Sequence, residues 1–286
     1  MLMVVIGETQ VGKTKRNLDE IYAYVLDNPI TGKKGRKVIP FDTNDDDYTM
    51  FKTVSLDHLQ DFKKVEVRRI RPINRDGSSM SEKQKQEVVK KILKDFRNGL
   101  IVLDDIDNWM TDNKGRDLLS TLVSTAHFGL DFITTHQSAG EIRTAEWRNA
   151  TWIRLHHQSD DIAVYKDRIS AYPVVRIAYL IVEEQYNLAY RRYKAGIINH
   201  DTFKKQRSFF VYINTRTKIV KGCSKSAFIR AAKKYVDQNC QKQVKELLLL
   251  RDLNDQALHP SRLAAIDHLL DQLVRHYEDS SSESPL

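Results

Sequence analysis

Over the first 155 residues of this chain, short strand-like runs alternate with stretches of helical spacing. Strand-like runs lie at Met3–Ile6, Lys37–Phe41, Val65–Ile70, Leu100–Asp104, Phe132–Thr135 and Thr151–Leu155. Between them, spacings of three and four predict helices at Lys13–Asp27, Ser81–Phe96, Lys114–Thr125 and Ala139–Arg148. This alternation predicts an α/β fold with a mainly parallel central sheet flanked by helices. Met3–Ile6 and Leu100–Leu103 are apolar throughout rather than every second residue, as strands buried on both faces require. Asp27-Asn28-Pro29 ends the first helix, Thr31–Arg36 reads as a basic turn, and Asn74–Ser81 as a polar loop with Ser81 capping the next helix.

After about residue 160 the pattern changes. A helix is predicted at Tyr179–Tyr193, a hairpin from Phe209–Ile213 and Lys218–Val220, and helices at Ser224–Val236, Gln241–Arg251 and Ser261–Tyr277. Glu278–Leu286 is acidic and serine-rich and reads as disordered. The organisation expected is a core over 1–222 that ends in a basic helix and hairpin, a helical extension over 223–277, and a tail over 278–286. There is no internal repeat.

Composition adds little until charge is mapped. The 286 residues carry +8, but from Tyr186 to Lys245 fifteen Lys/Arg face two acids, leaving about −5 for the rest. Such a concentrated basic segment suits a polyanion, with nucleic acid ahead of an anionic membrane. Arg191, Arg192, Lys204, Lys205, Arg207, Lys233 and Lys234 are the candidate contacts. The bland alternative is a set of solvated helix faces. No run approaches the ~18 apolar residues of a membrane span. The first strand-like run begins at Met3, which leaves no room for a signal peptide, and Cys223 and Cys240 form no disulfide or metal pattern. Both points fit a cytoplasmic protein.

The chemistry begins at residue 7. Gly7-Glu8-Thr9-Gln10-Val11-Gly12-Lys13-Thr14 is G-x-x-x-x-G-K-S/T in full, placed between a strand-like run and a helix-like stretch that opens near Lys15. That is the context a phosphate-binding loop needs. Gly7 and Gly12 are read as supplying backbone angles other residues resist, so that successive N–H groups face one concavity. Lys13 would reach the β- and γ-phosphates of ATP, and the Thr14 hydroxyl would hold Mg²⁺. Leu100-Ile101-Val102-Leu103-Asp104-Asp105 supplies the partner motif: Asp104 would hold the ion through water, and Asp105 would act as general base. A further strand ends Thr134-Thr135-His136-Gln137-Ser138. Gln137, whose amide both donates and accepts, is the candidate sensor of the γ-phosphate. His136 is left open between a strand-end histidine and a functional one.

The order of these motifs resembles the FtsK/HerA group of DNA-pumping P-loop ATPases over residues 3 to about 155. The resemblance is carried by the phosphate loop, by Val38-Ile39-Pro40-Phe41-Asp42 with Asp47-Tyr48, by the strand ending Asp104-Asp105, and by Phe128 to Ser138. It implies ATP-driven movement of double-stranded DNA by a homo-oligomeric ring. The minimal core with a basic helical end looks most like viral genome-packaging ATPases, which act in the host cytoplasm at a capsid or portal vertex. Two departures stand out. The group usually has Glu where this chain has Asp105. It often has an arginine shortly before the F-G pair that completes the neighbouring subunit's site, and this chain reads Ser124-Thr125-Ala126-His127 there. Arg143 and Arg148 are the candidates to replace it. The competing readings are a plasmid or mobile-element DNA-transfer ATPase, and a non-motor nucleotide switch or kinase in which Arg68-Arg69-Ile70-Arg71 would belong to a lid.

Overall fold

The computed structural model describes residues 1–43, 45–74, 76–110 and 128–279. The predicted helix Lys114–Thr125, the Ser124–His127 stretch and the end of the tail lie outside them. The chain divides into two compact units, one running from Met1 to Asp161 and the other beginning at Ile162.

The first unit contains β1 (Leu2–Ile6), α1 (Lys13–Val25), β2 (Lys37–Phe41), α2 (Glu82–Asp95), β3 (Gly99–Leu103), β4 (Leu130–His136), α3 (Thr144–Asn149) and β5 (Trp152–His156). Its strands lie in the order β2-β3-β4-β1-β5, and every pairing among them is parallel. β1 and β3 are buried at every position, as their unbroken apolar sequences predict. β1 lies between β4 and β5, so the chain leaving its C-terminal end emerges where the strand order reverses. Open α/β sheets take their ligands at such a point. Ser81 caps α2 with a reciprocal capping box through Gln84.

Two predicted elements are altered. Val65–Ile70 is not a continuous strand but touches β2 through the isolated bridges Val38↔Val67 and Phe41↔Ile70. The Val38 and Asp42 amides bond to the Glu66 and Ile70 carbonyls on either side of Pro40, which has no N–H to complete the row. The helix predicted over Ala139–Arg148 is confined to Thr144–Asn149. The Ala139 and Gly140 amides are instead bound by the Gln158 and Asp160 side chains, at 3.1 and 2.9 Å, which favours a turn over a helix there.

The second unit contains α4 (Tyr172–Lys194), α5 (His200–Arg207), the hairpin β6 (Phe210–Asn214) and β7 (Ile219–Lys221), then α6 (Lys225–Asn239), α7 (Gln241–Leu249) and α8 (Arg262–Val274). α4 starts seven residues before the predicted Tyr179. Pro173 sits in its first turn, where a missing N–H is harmless, and Val174, Val175, Ile177 and Ala178 bury its opening. α5 was not predicted. It is charged, buries Phe203 alone and is capped by the Asn199 side chain, which binds the Thr202 amide. After α8 the chain returns along β7: the Val220 amide bonds to the His276 carbonyl and the Glu278 amide to the Val220 carbonyl. Among the described residues no helix is long and apolar enough to cross a membrane.

Candidate nucleotide-binding and hydrolytic site

The loop after β1 is fixed at its mouth by both neighbouring strands. The Gly7 amide donates to the His136 carbonyl at 3.1 Å, and the Glu8 amide to the His157 carbonyl at 2.9 Å. Gln10 and Gly12 then turn left-handed, with φ of 65° and 85°. Gly12 uses the freedom its lack of a Cβ gives, and ends as the N-cap of α1. Gly7 does not, which corrects its sequence reading. Its φ is not positive; what excludes a side chain is space, since a Cβ would meet His156 Cβ at 2.7 Å and Val11 Cγ2 at 2.8 Å. Gly7→Ala should therefore destabilise the protein by about 1–3 kcal/mol through overpacking and weaken nucleotide binding with it. Chemical denaturation checks the first effect. A Gly7→Ala protein as stable as the parent would mean that the loop shifts freely.

Lys13 opens α1 and is buried, its ammonium donating to the Gly7 and Glu8 carbonyls. Burial holds its pKa below the ordinary lysine value; the Asp105, Asp104, Asp107 and Glu8 carboxylates pull the other way. Thr14, the next residue, is half-buried, whereas Thr9, Gln10 and Lys15 are exposed. The first turn of α1 is braced from β5. Arg154, fully buried, donates to the Lys13 carbonyl at 3.2 Å, to Asn17 Oδ1 and to Glu20 Oε1. Sequence reading missed this brace, although an arginine inside the apolar run Trp152-Ile153-Arg154-Leu155 is its signal.

Asp104 follows β3 and is buried. It accepts from Asn17 Nδ2 at 2.9 Å, from Thr135 Oγ1 at 2.8 Å and from the Tyr48 hydroxyl. Burial raises its pKa to about 6; the Tyr48 and Thr135 hydrogen bonds oppose the rise, while nearby Asp105 and Asp47 add to it. A carboxylate has about four acceptor sites. Three are taken by these donors, and the side-chain oxygens of Asp104 and Thr14 are of the kind magnesium binds. Asp42, Asp46 and Asp47 also bring carboxylate oxygens within 4.8 Å of one another. Asp105 is half-buried with left-handed backbone, φ 43° and ψ 49°, and its amide donates to Thr135 Oγ1 at 2.7 Å. One hydroxyl on β4 thus holds both acids. Thr135 was quoted in the sequence motif without a role.

β4 runs beside β1 in a register that pairs Ile6 with His136, and Leu155 on β5 pairs with the same Ile6. The loop, the acids and the end of β4 therefore meet at one edge of the sheet. Gln137 is half-buried, and its backbone N–H donates to Asp107 Oδ2 at 2.9 Å. Arg143 precedes α3 and donates to the Met110 carbonyl at 2.9 Å, while Arg148 is exposed on α3. Arg68, Arg69 and Arg71 pair with Glu66, Asp42 and Asp45 of their own chain, so this cluster is not an open anion-binding lid.

The basic candidates all lie in the second unit: Arg191 and Arg192 on α4, Lys204, Lys205 and Arg207 on α5, and Lys233 and Lys234 on α6. α4 and α5 form a helical hairpin closed by aromatic rings, with Tyr193 stacked on Phe203 at 4.9 Å and Tyr186 and Tyr190 each 6.2 Å from Phe203.

No protein-family model and no curated protein matches the chain. Among solved structures, it is similar to the genome packaging NTPase B204 from Sulfolobus turreted icosahedral virus 2 in complex with AMPPCP. The identity is 14%, over 77% of this chain and 95% of that one, with a TM-score of 0.46. B204 from Sulfolobus turreted icosahedral virus, a DNA-packaging ATPase, matches at 11% identity over 77% and 95%, with a TM-score of 0.44. The N-terminal domain of zonular occludens toxin from Neisseria meningitidis matches at 13% over 54% and 74%, with a TM-score of 0.31. At these values no residue role comes from the likeness, and the roles below rest on this chain's own geometry.

Proposed function

We propose that this chain is an ATPase of the FtsK/HerA type that moves double-stranded DNA, working as a homo-oligomeric ring in viral genome packaging. The observation that carries the ATPase reading is the meeting of the Gly7–Thr14 loop, the Asp104–Asp105 pair and Gln137 at the carboxyl ends of adjacent parallel strands. In this reading the loop amides and the N-terminal end of α1 receive the phosphates, and Lys13 offsets the charge on the β- and γ-groups. A magnesium ion would neutralise charge on the same phosphates; Thr14 and, through water, Asp104 are the residues that would hold it. Asp105 takes the proton of the attacking water, and Gln137 orients that water or the γ-phosphate. Arg143 or Arg148 would reach a neighbouring subunit's site. The buried Asp104 and the braced α1 keep these groups in place before nucleotide arrives, which is where most of the catalytic advantage in phosphoryl transfer originates.

The DNA-moving half of the proposal rests on the basic helices of the second unit. A motor that tracks any sequence needs phosphate contacts rather than base readout. ATP turnover should rise with duplex DNA, which separates a motor from a kinase or switch. Affinity should fall with a log–log salt slope near −0.9 per neutralised phosphate, so five contacts cost roughly three decades for a fivefold rise in salt. Neutralising Arg191, Arg192, Lys204, Lys205, Arg207, Lys233 and Lys234 should lower affinity, salt slope and DNA stimulation together. Unchanged binding in that variant would move the DNA path to the ATPase core.

A further inference from the structure

His136 is the last residue of β4 and is 1% exposed. Each ring nitrogen faces a different carboxylate: Nδ1 lies 2.7 Å from Asp107 Oδ1, and Nε2 lies 3.1 Å from Glu146 Oε1. A neutral imidazole has one N–H and one lone pair, so it would turn a lone pair toward one of these carboxylates. With both carboxyl groups ionised, both distances are satisfied only by the doubly protonated ring.

The partners make this more than a buried ion pair. Asp107 lies two residues beyond Asp105, in the short turn Ile106–Asn108, and its second oxygen accepts from the Gln137 backbone N–H. Glu146 lies on α3, and its second oxygen accepts from the Arg143 amide at 3.3 Å. The His136 carbonyl takes the Gly7 amide. One side chain and its own carbonyl thus connect the turn bearing the base, the sensor residue, the phosphate loop and the helix bearing Arg148. The turn needs such a hold, because Asp105 sits in a left-handed conformation that is strained for a residue with a side chain. Thr135 holds its upstream end, and His136 acts on its downstream end through Asp107.

We propose that His136 is a positioning residue: a buried imidazolium that, through Asp107 and Glu146, sets Asp105 against Gln137 and the Arg143–Arg148 helix. This rests on the ATPase reading above. Burial alone would lower the ring's pKa. The Glu146 charge and the bond to Asp107 outweigh it and raise the pKa to about 10, in keeping with the geometry.

The test has a spectroscopic and a kinetic arm on the full chain. At pH 8, ¹H–¹⁵N spectra should show His136 with both nitrogens protonated. His136→Gln offers one carboxylate a donor but not both. It should bind a fluorescent ATP analogue within about threefold of the parent, while kcat falls ten- to a hundredfold with KM little changed. Asp107→Asn should cause a similar loss, and the double variant no more than the worse single, because the two residues act as one unit. Should His136→Gln fail to fold, Asp107→Asn carries the kinetic arm. A neutral His136 ring at pH 8, a parental kcat, or a loss of binding in proportion to the loss of kcat each overturns the proposal. If the parent itself hydrolyses no ATP, the ATPase reading fails, while the ring spectrum still decides whether the clamp exists.

Discussion

Lys13→Ala should leave a folded protein with no measurable ATP turnover. Lys13 is buried, and burial holds its pKa below the ordinary lysine value, so its charge is costly to the empty protein and its removal should not unfold the first unit. The loss falls on the reaction. Backbone amides alone cannot offset the charge accumulating on the γ-phosphate, and a missing preorganised cation costs about 10³-fold or more, on the order of 4 kcal/mol of transition-state stabilisation. Phosphate release and a thermal melt, measured on the same sample, separate the two effects. Turnover within tenfold of the parent would remove the central claim about this site.

Asp105→Asn should instead uncouple binding from hydrolysis. The amide keeps the carboxylate's shape and the bond from the residue's own N–H to Thr135, so nucleotide still binds. It cannot take a proton, so hydrolysis slows by about 10²–10⁴-fold. Bound ATP should persist through a single-turnover chase; decay at the parental rate assigns the base elsewhere. Asp105→Glu gives the side chain usual in the resembled group but places it on a backbone at φ 43°. Aspartate and asparagine tolerate that region better than longer side chains do. The backbone thus supplies a physical reason for the shorter acid.

The strand-like runs were enough to place β1, β2, β3, β4 and β5 within a residue or two, and in β1 and β3, buried at every position, the apolar signal is unbroken. The loop residues Gly7 to Thr14 and the acids Asp104 and Asp105 were legible for a related reason: a spacing fixed by backbone geometry is local. What connects them was not. Arg154 reaches α1 across 141 residues of sequence and Thr135 reaches Asp104 across 31, and no spacing rule covers such distances. α5 escaped notice because it buries Phe203 alone and so shows no periodic face. Val65–Ile70 misled because its own composition suits a strand, while the interruption comes from Pro40 on the segment beside it.

Successive residues of β4 point to opposite sides, so Thr135 serves the two acids on one side while His136 meets Asp107 and Glu146 on the other. A slip of β4 by one position against β1 would exchange them, setting an imidazole where a hydroxyl bridges Asp104 and Asp105. In the proposed reaction, the alignment of two interior strands is therefore part of the chemistry. Mutations deep in the Leu2–Ile6 and Leu130–His136 pairing, far from any phosphate, can silence the site without touching one of its functional groups.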